Sequence, residues 1–174
     1  MKIIKTDFKD LIIVENKTFK DKRGYFKELL KENKIKKKFP FIVMSYSKKN
    51  VIRGLHMQTR NTQGKFVSVI KGKIYDVVID LRKKSKTFGK KHSIILSEKN
   101  SKSLFVPEGF AHGFCSLDDE NYVVYSCSKY RDKKSEIGII FNDKNLKINW
   151  PTNNPILSKK DKKNQSLEDF LKLQ

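Results

Sequence analysis

From Lys65 the chain reads KFVSVIKGKIYDVVIDLRK, and its apolar residues recur at every second position. Tyr75, Val77, Ile79 and Leu81 fall on one side, while Asp76, Asp80 and Arg82 interrupt the other. That alternation describes strands with one buried face, not helices. Further short strands are predicted at 93–96, 103–106, 114–117, 122–126 and 137–141, separated by turn residues at Gly89, 98–100, 107–109 and 118–121. Gly72 is read as a hairpin or bulge signal. Helix is scarce: one is predicted over 25–35 and ended by Pro40, and another over 166–173 with Ser166 as its cap and Asp169 three residues on. The stretch 149–155, NWPTNNP, reads as loop. The expected fold class is therefore all-β, a sandwich or barrel with a few short helices. A length of 174 residues leaves room for one domain, 1–174.

Charge narrows the partners. The formal net charge is +20, with 39 Lys and Arg against 19 Asp and Glu. Such a chain attracts anions at long range. Its lysines are spread along the whole length, with few aromatics between them and no nucleic-acid motif, so no nucleic-acid partner is expected. The longest apolar stretches run four to six residues, too short to span a bilayer as a helix, and the N-terminus lacks the apolar core of a signal peptide. Cys115 and Cys127 sit in apolar surroundings with no zinc-type spacing, and they are expected to be reduced thiols in a cytoplasmic protein.

The chain has three histidines, His56, His92 and His112. His56 lies in IRGLHMQ and His112 in PEGFAHGF; taken alone, each reads first as a satisfied structural histidine, with a functional role as the alternative. His92, in GKKHSII, reads as a surface residue at a strand start. Arg53 and His56 are three apart, so a plain strand would point them to opposite faces; a bulge at Gly54 would bring them together. No close histidine pair, Cys cluster, G-x-S-x-G or Gly-rich phosphate loop occurs, and no metal or other cofactor is expected. What remains is acid–base chemistry by a histidine in a β-barrel pocket, with Arg53 or Lys65 as a cation for a developing oxyanion.

Seven stretches, in order, resemble the nucleotide-sugar epimerases typified by dTDP-4-dehydrorhamnose 3,5-epimerase. They are KDKRGYFKE (20–28), SKKNVIRGLHMQ (47–58), QGKFVSVIKGKIYDVVIDLRKKSKTFG (63–89), VPEGFAHGF (106–114), VYSCSKYRDKKSEIGIIFND (124–143), INWP (148–151) and PILSKKD (155–161). The resemblance implies a cupin-type jelly-roll β-barrel without metal, a homodimer, and a dTDP-4-keto-6-deoxyhexose epimerised at C3 and C5 for polysaccharide synthesis. It implies that His56 is the base, Asp161 its carboxylate partner and Lys65 the stabiliser of the C4 enolate. Arg53, Gln63, His112 and Lys160 are implied as substrate contacts. Arg23, Phe26 and Glu28 resemble the segment that holds the nucleotide base from the partner subunit. The family's acid is expected in a Tyr-Tyr pair, which aligns with Tyr130 and Arg131. Arginine cannot act as a general acid, so Tyr130 is expected in that role, with a single-centre epimerase as the alternative. Met57 replaces the aromatic that usually follows the histidine, and Phe41, Ile42 and Val43 replace a polar Gln-x-Asn segment. The competing readings are a 3,4-ketoisomerase of the same barrel class, whose histidines usually form a close pair, and a non-catalytic sugar-nucleotide binding module.

Overall fold

The computed structural model describes residues 1–172. Its strands are β1 (Lys2–Lys5), β2 (Ile12–Glu15), β3 (Thr18–Asp21), β4 (Gly24–Lys27), β5 (Phe41–Ser47), β6 (Ile52–Gln58), β7 (Lys65–Lys71), β8 (Lys73–Asp80), β9 (Lys91–Ser97), β10 (Lys102–Val106), β11 (Phe110–Ser116), β12 (Asn121–Cys127) and β13 (Glu136–Gly138). Two short helices, α1 (Glu32–Ile35) and α2 (Leu167–Lys172), and a 3-10 turn at Asp161–Lys163 complete the elements. One sheet runs β1-β2-β10-β7-β12-β5 and the other β13-β6-β11-β8-β9, while β3 and β4 form a separate hairpin. The two larger sheets pack face to face as the expected jelly roll.

The core between them draws on both sheets. Val67, Val69, Leu104, Val106 and Val123 meet Ile74, Val78, Leu96, Phe110 and Phe114, with Phe8 and Leu11 in the same cluster. The period-two reading of β8 holds. Ile74 and Val78 face this core, and Asp76 shares their side of the strand. Tyr75, Val77, Ile79 and Leu81 face outward into a second apolar layer. That layer is covered by the C-terminal segment through Ile139, Leu146, Trp150, Leu167 and Phe170. Burying such side chains contributes on the order of 1.5–3 kcal/mol each, which pins the segment carrying Asp161 against the five-stranded sheet. The predicted cap of α2 is present: Ser166 Oγ accepts from the Asp169 backbone N–H at 3.0 Å. Of the predicted helix, residue 173 lies outside the described residues.

Two local expectations change. Gly72 is not a hairpin turn, because β7 and β8 belong to different sheets. It carries the chain from one sheet to the other at φ 83, where a Cβ would collide with the Glu120 carbonyl. The helix expected over 25–35 shrinks to α1, and Gly24–Lys27 is a strand instead. Asp21 decides this locally. Its carboxylate accepts from the Arg23 backbone N–H at 2.8 Å and from the Arg23 side chain, closing the turn that pairs β4 with β3. Helix α1 buries no residue, so nothing pulls it longer.

Candidate active site

A cavity of about 460 Å³ opens between the two sheets, lined by His56, Lys65, His112, Tyr125, Asp161 and Arg53 among others. Strand β6 brings the first of these in. Against β11 it pairs His56 with His112 and Arg53 with Phe114, so that Gly54 and Leu55 on one strand oppose Gly113 alone on the other. The extra residue is the bulge anticipated at Gly54, and it turns Arg53 and His56 toward the same cavity. Gly54 sits at φ 113, and a Cβ there would lie 2.6 Å from both the His112 carbonyl oxygen and the Gly113 Cα. The close approach of β6 to β11 therefore requires glycine at this position.

His56 Nε2 meets Asp161 Oδ1 at 2.6 Å. The Asp161 side chain is only 5% exposed. Burial alone would raise its pKa, but the bond to and electrostatic attraction of His56 and bonds from Ser158 and Asn164 outweigh burial and hold it below the usual carboxylate range. An ionised Asp161 accepting from Nε2–H leaves Nδ1 of His56 as the free base. The second histidine repeats the arrangement: His112 Nε2 lies 2.8 Å from Asp76 Oδ2, with both side chains buried. The other Asp76 oxygen is buried with no hydrogen-bond partner among the described residues. His92 faces inward, not to the surface. Its ring packs against Phe8 at 5.7 Å and its buried Nε2 has no hydrogen-bond partner among the described residues. Strand pairing sets His92, Val78, His112 and His56 in one row across the sheet.

The facing wall comes from the six-stranded sheet. On β12 the alternation Val123, Tyr125, Cys127 points inward, and Tyr125 shares a hydrogen bond of 3.0 Å with Ser45 on β5. Burial holds the Tyr125 phenol well above its ordinary pKa, against the Ser45 bond and with help from Asp76, so it stays protonated. Lys65 pairs across the ladder with Cys127, and its side-chain ammonium has no hydrogen bond or ion pair among the described residues. Burial lowers its pKa, opposed by Cys127, Glu136 and Asp76. Both cysteines are free thiols.

Tyr130 does not enter the cavity. It lies beyond the end of β12, is 68% exposed, and packs its ring on Phe41 at 5.6 Å. The tyrosine that reaches the interior is Tyr125, on the alternating strand itself. Arg131 forks onto Glu136 at 2.7 and 3.1 Å, and Lys160 binds the same carboxylate. Gln63 lines the cavity and donates to the Lys129 carbonyl. Arg53 is fixed by Ser47 Oγ and the Tyr46 carbonyl, each at 2.9 Å. Arg23, Phe26 and Glu28 lie outside this chain's own cavity: Arg23 pairs with Asp21, Glu28 with Lys31, and Phe26 is 67% exposed. The sequence reading missed Asp76 and Tyr125. Each had a signal, a polar residue at an inward position of an otherwise apolar strand face.

Acid–base groups on two facing walls define the class, a jelly-roll barrel equipped to move protons onto and off a bound molecule. Comparison with known proteins carries this further. The family model for dTDP-4-dehydrorhamnose 3,5-epimerase matches residues 5–169. A dTDP-4-dehydrorhamnose 3,5-epimerase of Shigella flexneri is 43% identical over 97% of both chains. Two solved structures superpose with a TM-score of 0.92. One is the Bacillus anthracis epimerase with TDP and PPi bound, 40% identical over 95% of this chain and 99% of that one. The other is the Legionella pneumophila epimerase in complex with dTDP-4-keto-L-rhamnose, 38% identical over 96% and 93%. The chain belongs to the dTDP-4-dehydrorhamnose 3,5-epimerase family, a family of isomerases.

Proposed function

We propose that this chain inverts C3 and C5 of dTDP-4-keto-6-deoxy-D-glucose through an enolate, giving the 4-keto-L-rhamnose configuration. One observation carries the reading: His56, oriented by Asp161, and Tyr125 stand on opposite walls of one cavity. The C4 ketone acidifies the hydrogens on its neighbours. Nδ1 of His56 takes one as a proton, and the C–H electron pair moves into a carbon–carbon double bond with negative charge on O4. Lys65, whose ammonium has no other partner among the described residues, neutralises that oxygen. Tyr125 returns a proton to the same carbon from the other face, the ketone re-forms, and the centre is inverted. His56 and Tyr125 then exchange protons with solvent. Electrons balance without an oxidant, so the reaction calls for no redox cofactor.

The names and bound molecules of the relatives support a dTDP-linked sugar. With Tyr125 as the acid, Arg131 no longer argues for a single-centre reaction. We also propose a homodimer in which the β3–β4 hairpin supplies Arg23, Phe26 and Glu28 to the partner's cavity. The hairpin is exposed and outside its own site, and Ile42, Met44 and Tyr46 leave an exposed apolar stripe on edge strand β5. Free buried thiols favour the cytoplasm, and no helix among the described residues is long and apolar enough to cross a membrane. The test is NMR of the purified protein with dTDP-4-keto-6-deoxy-D-glucose. The account expects the L-configured ketone, lost by at least about a hundredfold in His56→Ala. No product from the wild type would overturn it.

A further inference from the structure

The cavity mouth holds an unusual charge arrangement. Glu136, on β13 beside Gln58 of β6, is the one carboxylate among the described residues that accepts from two rim cations, Arg131 and Lys160. Its side chain is 11% exposed, while those of Arg131 and Lys160 are about half exposed. Arg131 stands where the family pattern has a tyrosine, so this chain loads a second cation onto that carboxylate. The Nε edge of the Arg131 guanidinium is spent on it. Burial would raise the Glu136 pKa, but the two cations overcome it and hold the group at about 2, ionised at every working pH.

We infer that Glu136 is an internal counter-anion that weakens nucleotide binding by competing with the substrate's diphosphate for Arg131 and Lys160. The inference rests on the nucleotide-sugar reading. An incoming diphosphate meets two cations that already have a partner, and it meets a fixed negative charge among them. In a chain of net charge +20, such a carboxylate keeps an anionic product from being held too long. A simple structural role predicts the reverse. Loosening Lys160 would disturb its neighbour Asp161, and both binding and turnover would decline.

The experiment is calorimetric titration of dTDP into the wild type, Glu136→Gln and Glu136→Asp, at low and at high salt, with circular dichroism confirming each fold. Removing one charge at this range is expected to tighten dTDP binding in Glu136→Gln by roughly tenfold at low salt, with the gain shrinking as salt is added. KM should fall with it, and Glu136→Asp should stay near the wild type. Equal or weaker binding by a folded Glu136→Gln, beside normal wild-type binding, overturns the inference alone. No binding of dTDP by the wild type overturns the nucleotide-sugar reading and this inference with it.

Discussion

Replacing Tyr125 by Phe separates the two halves of the reaction. The variant keeps the ring between His112 and Phe114, whose centroids lie 6.2 and 6.5 Å from that of Tyr125. It removes one hydroxyl and leaves Ser45 Oγ without its 3.0 Å partner. The structural cost is about 1–2 kcal/mol, the penalty of one unsatisfied, partly buried hydroxyl. The catalytic cost is larger, because a positioned acid contributes about 10²–10⁴-fold. The proposed base and enolate stabiliser remain, since His56, Asp161 and Lys65 are untouched. In heavy water the variant should still exchange C3 and C5 hydrogens, with deuterium returning to the face from which His56 removed the proton. Exchange with retention should therefore persist while inversion falls at least about a hundredfold. NMR reads both quantities in one tube. Tyr130→Phe, at an exposed ring outside the cavity, should leave both unchanged. Normal inversion by Tyr125→Phe, with loss in Tyr130→Phe, would refute the assignment.

Other consequences can be measured directly. Asp161→Asn leaves the His56 imidazolium without its carboxylate during turnover and removes a charge-assisted bond worth about 1.5–3 kcal/mol; kcat should drop roughly 10- to 150-fold with little change in KM. Gly54→Ala forces a Cβ into the His112 carbonyl at a positive φ, so its thermal midpoint should fall by several degrees or the protein should fail to fold, and an unchanged midpoint would contradict the bulge geometry. Burial alone would raise the Asp80 carboxyl, but Arg82, Ser85 and Thr87 hold it at about 2 against a usual 3.8. That depressed carboxyl contributes stability that is fully present above about pH 4 and lost as pH falls toward 2, about 2 kcal/mol in all; urea titrations of Asp80→Asn and wild type should converge at the acid end. Mixing inactive His56→Ala with a Phe26→Ala variant should restore some activity if hairpins serve the partner's cavity, and no rescue would count against the shared site.

The alternation from Lys65 to Arg82 made the barrel legible, because a period of two along several runs admits few other folds. The Arg53–His56 spacing made the bulge legible, since Gly54 was the one residue between them able to supply it. The His56–Asp161 pair was reached through resemblance, not through the residues, because 105 positions separate its members. Tyr125 is flanked by Val123 and Cys127 at the inward spacing, a signal that the resemblance of Tyr130 and Arg131 to a Tyr-Tyr pair obscures. The strand at Gly24–Lys27 was hidden by helix-favouring neighbours, where a single Asp21 side chain settles the turn. Asp76 was read only as an interruption of its strand face, because a carboxylate inside a strand shows no role until the pairing sets it beside His112.

In the proposed reaction His56 removes the protons beside the ketone. Incubating wild type and His56→Ala with dTDP-4-keto-6-deoxy-D-glucose in heavy water, and following both carbons by NMR, tests it most directly. Deuterium is expected at C3 and C5 with the wild type and none above background with the variant. Deuterium incorporation that survives in His56→Ala would contradict it.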